Sequence, residues 1–341
     1  MEDRGWGVVG HDWAVRLLQH ELEADRISHA YLFTGPPQVG KTTLALAFAR
    51  ALNCEEENPP CGDCVACGKA ERGTHPDIRL VSPGYGSDKP SAAGNTTVGI
   101  DDIRAVRREA ATTPYEGRWK VFVLPSAEAM TREAANALLK TLEEPPGYVV
   151  LLLTAADSAA LPPTVVSRCR PFGLRLVPAE EIEGALIERW GQDPERAGFL
   201  AGLSGGRMGW AVTATQDDAV LKAREETLAV LAGVLPQGRA ERFFAAEKLA
   251  RRADLSTLLE MWRAWWRDML LVREGATEGL VNLDQREALD AEAKAYSLEE
   301  IAGAVATLGG TQHHLDRNVN PRLALEVLML DLPWPRDEKQ E

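Results

Sequence analysis

The sequence predicts an α/β P-loop domain with a parallel sheet, followed by helical domains. Three observations carry that expectation. Short β-branched runs alternate with amphipathic helix-length segments over the first half of the chain, as in a parallel sheet covered on both faces. A glycine-rich phosphate-loop pattern falls where a strand gives way to a helix. Beyond Pro178 the β-type runs stop and helical spacing continues almost to the end.

Taken in order, residues 7–24 read as a short helix. Ala30–Thr34 is an apolar strand ending at glycine, and the Ala/Leu-rich Thr43–Leu52 is helical. Residues 53–68, rich in Cys, Gly, Pro and Asn, read as an irregular insertion. Asp77–Val81 reads as a strand, and the turn-forming 82–98 as a mobile loop. Gly99–Ala111 has helical spacing. Lys120–Leu124 and Val149–Thr154 are buried parallel strands, and Thr131–Glu144 between them is a helix stopped by Pro145-Pro146. The helical remainder is expected to break at Gly205-Gly206, Pro236-Gln237-Gly238, Gly275 and Gly309-Gly310. The expected division is a P-loop domain over 1–175, a small helical domain over 176–214, a longer helical domain over 215–335 and a frayed tail at 336–341.

With 341 residues and 45% hydrophobic content, the chain can build real cores and is not a disordered segment. Its 38 Lys+Arg against 51 Asp+Glu leave a net charge of −13, which argues against coating nucleic acid by bulk electrostatics. No apolar run of membrane-spanning length and no secretory h-region is visible, so a cytoplasmic protein without membrane contact is expected.

The P-loop is Gly35-Pro-Pro-Gln-Val-Gly40-Lys41-Thr42-Thr43, a complete GxxxxGK[ST] pattern in the strand-to-helix context it requires. Its glycines let backbone N–H groups curl around phosphates, Lys41 reaches the outer phosphates, and Thr42 is the Mg²⁺ ligand of an ATP site. Cys54-x6-Cys61-x2-Cys64-x2-Cys67 supplies four thiols on tight turns, which suits a closed structural Zn²⁺ site. A redox CxxC pair or unpaired thiols are the alternatives, but a redox pair does not need four cysteines. One motif is absent. A hydrolysing P-loop enzyme carries an acidic end to the strand that here runs Lys120–Leu124, and Pro125-Ser126 stand in its place, with Glu128 further on. Nucleotide binding with poor hydrolysis is the expectation. Trp262, Trp265 and Trp266 share one helix face, read as core or an interdomain contact. Arg104, Arg107 and Arg108 make a basic face, read as solvated, with DNA phosphate contact as the alternative.

Assembled, the sequence resembles the clamp-loader subunits of bacterial DNA polymerase III, of the AAA+ class. The resemblance runs along nearly the whole chain. It rests on SHAYLFTGPPQVGKTTLA (28–45), the four-cysteine insertion, Thr74–Asp77 (THPD), Asn136–Pro146 (NALLKTLEEPP), Leu161–Cys169 (LPPTVVSRC) and Asn318–Leu330 (NVNPRLALEVLML). The lost acidic strand end and the closing NVNPRLALE are similar to the delta-prime branch rather than the gamma and tau ATPases. The resemblance implies an AAA+ domain, a helical lid domain over 176–214 and a helical collar domain over 215–335. It implies that Cys54, Cys61, Cys64 and Cys67 hold zinc, that Arg168 is an arginine finger acting on a neighbour's ATP, and that Arg207 is a sensor-2 arginine. The sensor-1 position falls at Thr154. It also implies gamma/tau-type and delta-type partners, with the sliding clamp and primed DNA met through the complex. Three rivals remain: a gamma/tau-type motor, a zinc-containing DNA-binding module and an unrelated P-loop ATPase.

Overall fold

The structure, a computed structural model, describes residues 5–85, 97–252, 254–276, 279–316 and 319–335. The expected tail at 336–341 and residues 86–96 of the expected 82–98 loop lie outside the described residues. The chain divides into two compact units. One holds 1–181 with 207–209, and the other holds 182–206 with 210–341.

The first unit is built from α1 (Asp12–Glu23), β1 (Ala30–Thr34), α2 (Lys41–Leu52), α3 (Val65–Glu71), β2 (Ile78–Leu80), α4 (Ile100–Ala110), β3 (Lys120–Leu124), α5 (Arg132–Glu143), β4 (Val149–Ala155), α6 (Pro163–Val166) and β5 (Arg170–Gly173). All strand pairings are parallel, in the order β2-β3-β4-β1-β5. The P-loop strand β1 is thus flanked by β4 and β5. Successive residues of β1, β3 and β4 point to opposite faces. Tyr31, Phe33, Val121, Val123, Val150 and Leu152 pack with α2 on one side. Leu32, Phe122, Leu124, Leu151 and Leu153 pack with α4 and α5 residues on the other. Burial on both faces explains why KVFVL and VVLLLT read as unbroken apolar runs.

Two local features differ from the sequence reading. Residues 65–71, read in part as an irregular insertion, form α3, because the Cys64 side chain caps it by accepting from the Cys67 amide at 3.4 Å. Strand β5 is not visible in the sequence pattern because it contains Pro171. It is tolerated because β5 lies at the sheet edge, where a lost donor is cheap.

The second unit contains most of α7 (Ala179–Trp190), then α8 (Pro194–Ser204), α9 (Met208–Gln216, whose first residues group with the first unit), α10 (Ala219–Val234), α11 (Arg239–Leu249), α12 (Leu255–Arg273), α13 (Arg286–Ala293), α14 (Leu298–Asp316) and α15 (Pro321–Asp331). The expected break at Gly309-Gly310 does not occur, since α14 runs through both. Two helical glycines cost about 1 kcal/mol each against Ala, which is small beside the packing of a 19-residue helix. The tryptophan face is core. Trp262 and Trp266 are fully buried, Trp262 Nε1 donates to the Thr227 carbonyl at 3.1 Å, and Trp266 meets Tyr296 edge-on at 4.9 Å. Such rings cannot serve as a base-stacking platform. Among the described residues no helix is long and apolar enough to cross a membrane.

Candidate functional site

The phosphate loop follows β1 directly. Gly35 has φ +145°, and a Cβ there would lie 2.5 Å from the Leu174 carbonyl oxygen, so no other residue fits. Gln38 is held at φ +60°, and its carbonyl accepts the Gly209 amide at 2.8 Å. Gly40 sits at φ +109° as the N-cap of α2, with no side chain competing for the first-turn amides that Lys41, Thr42 and Thr43 present. Lys41 Nζ donates to the Gly35 and Pro36 carbonyls at 2.6 and 2.8 Å, so the cation is inside its own loop. Buried His11 braces the turn, its Nε2 donating to the Val39 carbonyl at 2.9 Å. Nothing in the spacing of the motif pointed to His11, which reaches the loop from 28 residues upstream. Glycine turns, an uncapped helix start and a positioned lysine together fit a nucleoside phosphate.

The end of β3 lacks any acidic ligand. Ser126 is in the left-handed region at φ 50°, and its amide donates to buried Thr154 Oγ1 at 3.1 Å. Thr154 thereby ties the end of β4 to the end of β3. The nearest carboxylate along the chain, Glu128, is turned to β4, where its Oε1 accepts the Ala156 amide at 3.1 Å.

Arg168 lies between α6 and β5. It donates to the Thr164 carbonyl at 2.8 Å and pairs with Glu143 at 2.8 Å, about a third of its side chain remaining exposed. Arg207 belongs, with Met208 and Gly209, to the same compact unit as the P-loop, although the residues flanking these three do not. On the expected basic face, Arg104 is paired with Asp101 at 2.9 Å. Arg107 and Lys140 share a shallow groove with Glu143 and Glu144, so its charge is mixed.

The four cysteine sulfurs lie within 4.8 Å of one another, with Cys61 and Cys67 at 3.9 Å. A tetrahedron with Zn–S bonds of about 2.3 Å has S···S edges of about 3.8 Å, so the cluster is nearly preformed for metal. Amides of Cys61, Cys64 and Cys67 donate to the sulfurs of Cys54, Cys61 and Cys64 at 3.3–3.4 Å, which favours thiolates. Burial works to raise the Cys64 thiol, but the Glu55 and Cys67 amides outweigh it and bring it down to about 7. Burial pushes Cys67 up. Four sulfurs leave no open position, so a metal there would be structural. If the four sulfurs hold one zinc, a strong chelator should release a single zinc per chain and raise amide exchange over 54–73, leaving β3 and β4 protected; hydrogen exchange with metal analysis reads both.

The chain matches the family model described as "DNA polymerase III, delta subunit" over residues 10–178, and "DNA polymerase III, delta subunit, C terminal" over 219–333. It is 30% identical over 328 residues to DNA polymerase III subunit delta' of Bacillus subtilis, spanning 93% of this chain and 94% of that one. The chain belongs to the DNA polymerase III delta-prime family. DNA polymerase III subunit tau of the same organism is 35% identical over 181 residues, 52% of this chain and 30% of tau. A solved DNA polymerase III gamma-subunit-related protein from Thermotoga maritima aligns at 18% identity with a TM-score of 0.40, over 92% of this chain and 97% of that one.

In this delta-prime family member, the THPD segment acquires a structural role that its sequence did not disclose. Asp77 is fully buried and accepts amides of Tyr115, Glu116 and Gly117 at 2.7–2.9 Å. Burial works against its charge, but those amides hold its carboxyl below the usual carboxylate range. Asn53 completes the clamp, accepting from the Trp119 amide at 2.8 Å and donating to the Trp119 carbonyl at 2.9 Å. A Cβ at Gly117 would lie 2.6 Å from Asn53 Oδ1, so a larger residue there would push Asn53 off the Trp119 backbone. The loop before β3 is thus fixed to the end of α2 and the edge of the cysteine module.

Proposed function

We propose that this chain is the delta-prime-type subunit of a clamp loader, which helps place a sliding clamp on primed DNA. It binds ATP, hydrolyses it poorly, and lends Arg168 to a neighbouring gamma/tau-type subunit. The observation that carries this reading is the contrast within one site. The phosphate cradle is complete, while β3 ends in Pro125-Ser126 and Glu128 has one carboxylate oxygen engaged by the Ala156 amide. Amides of the loop and α2, with Lys41, would hold the phosphates, Thr42 would meet Mg²⁺, and Arg207 would approach as sensor 2. Bound ATP-Mg²⁺ supplies charge and rigidity to this cradle. Without a carboxylate at the strand end, no residue there takes a proton from an attacking water.

The zinc module is structural in this reading. Residues 176–214 act as a lid, and 215–335 join a collar with gamma/tau-type and delta-type subunits. The exposed apolar residues Leu323, Val327 and Leu330, one face of α15, supply a surface for that contact. A gamma/tau-type motor is the rival that the intact P-loop favours, and one measurement separates them. The isolated chain is expected to bind ATP with background turnover, and to complete a clamp-loading assembly when mixed with the other subunits. Brisk turnover by the isolated chain would assign the motor role instead.

A further inference from the structure

A cavity of about 750 Å³ opens in the first unit at the C-terminal end of α2. Along a 12-residue helix this is about 18 Å from the phosphate loop, so the cavity is independent of the nucleotide site. Its apolar wall includes Leu22, Ile27, Ala51, Leu52, Ala66 and Trp119. Its rim is acidic. Asp25 is paired with Arg118, and Glu116 with Lys69, both at 2.6 Å. Glu23 and the run Glu55–Glu57 are exposed and have no basic partner among the described residues. The C-termini of α1 and α2, at Ala24 and Asn53, both adjoin the cavity and add partial negative charge.

One buried group in the wall has an unmet need. His75 is 1% exposed and lines the cavity. Its Nδ1 accepts the Asp77 amide at 3.1 Å, which leaves the proton of the neutral ring on Nε2. Nε2 has no hydrogen-bond partner, and its nearest carboxylate oxygen, on Glu116, is 3.8 Å away. A buried donor at a cavity wall is satisfied there by water or by an acceptor that a ligand brings in its place.

We propose that this cavity docks a basic, partly apolar peptide segment of a protein partner. Its cationic side chains meet Glu23 and Glu55–Glu57, its apolar side chains cover Leu22, Ile27 and Trp119, and a backbone carbonyl accepts from His75 Nε2. An apolar wall whose rim keeps Glu23 and Glu55–Glu57 uncompensated after Lys69 and Arg118 are paired, with the His75 donor unpartnered beside it, matches that chemistry better than an anion or a nucleic acid backbone. This goes beyond the clamp-loader reading and stands whether or not that reading holds.

The probe is a fluorescein-labelled twelve-residue peptide of alternating Arg and Leu, titrated into the full chain by anisotropy. The same peptide with Glu in place of Arg is the comparison. The Arg peptide is expected to bind, more weakly as salt rises, and the Glu peptide not to bind. The variant E23K/E56K/E57K should weaken binding at least about tenfold, and E23K alone, remote from the cysteines, about threefold. A charge-matched control, E225K/E226K/E274K in the second unit, should bind like the parent. Hydrogen exchange should show protection by the peptide over 19–27, 51–59 and 115–119. Absence of binding, equal loss in the control, or protection confined to other segments would overturn the proposal.

Discussion

Replacing Arg168 by Ala in an assembly reconstituted with gamma/tau-type and delta-type subunits should slow ATP hydrolysis at the neighbouring site by about 10³ or more. That factor corresponds to about 4 kcal/mol of transition-state stabilisation. In the proposed arrangement it would come from a guanidinium meeting negative charge that develops on phosphoryl oxygens in a site drier than bulk water. A merely structural Arg168 predicts something else. Its pair with Glu143 is half-exposed, and such pairs contribute about 0–1 kcal/mol. Loss of that pair alone would leave turnover almost untouched. Single-turnover measurements make the distinction, because in the proposed arrangement only one site in the assembly would receive this arginine. A slow phase should appear while the remaining sites turn over normally, and assembly should persist. Arg168→Lys should recover only part of the rate, since an ammonium keeps the charge but loses the planar fork. Unchanged kinetics in Arg168→Ala would remove the trans-acting role and leave the arginine as a surface partner of Glu143.

The parts of this molecule that were legible in the sequence are those whose chemistry is contiguous. The P-loop needs its glycines, lysine and threonine in one run; Gly35 and Gly40 take the positive-φ backbone such a run requires, and Lys41 Nζ lies on the loop's Gly35 and Pro36 carbonyls. The four cysteines span 14 positions, and their sulfurs converge. The missing carboxylate at Pro125-Ser126 is legible because β3 is a fully buried apolar run with a recognisable end. What was not legible depends on distant partners. His11 braces Val39, Asp77 anchors a loop 38–40 residues away, and Glu143 holds Arg168 across 25 positions. Local spacing has no term for such contacts. The error at Gly309-Gly310 has the same origin, because intrinsic propensity is overridden by tertiary packing. Helix α3 was hidden for another reason. Its N-cap is a cysteine, a residue that ordinary capping preferences do not flag.

The largest stability effect is expected at Arg242, in the second unit. Its side chain is buried, yet what it meets there is a set of carbonyls. It donates to Met329 and Leu332 at 3.0 and 2.6 Å, to Leu235 at 2.6 Å and to Pro333 at 3.0 Å, with Trp334 stacked on the guanidinium at 4.1 Å. Leu235 closes α10, and Met329 and Leu332 close α15. One cation therefore satisfies orphan carbonyls at two helix C-termini and meets the negative ends of both dipoles. Burial disfavours the charge and lowers its pKa, yet an arginine remains protonated, so the carbonyls must carry the compensation. Arg242→Met keeps much of the apolar volume and abandons those carbonyls inside the core. The expected loss is about 3–5 kcal/mol, which moves the melting temperature of the second unit down by about 10 °C. Arg242→Lys should recover only a fraction, since one ammonium cannot span four acceptors. The consequence reaches function because α15 carries both ends of the problem. Arg242 fixes its last turn from inside, and Leu323, Val327 and Leu330 face outward from the same helix. If that face joins the collar, Arg242→Met should weaken assembly with gamma/tau-type subunits at temperatures well below its own melting point, while ATP binding at Lys41 stays intact. Thermal unfolding monitored beside co-elution of the subunits checks both, and loss of stability with undiminished assembly would detach α15 from the interface.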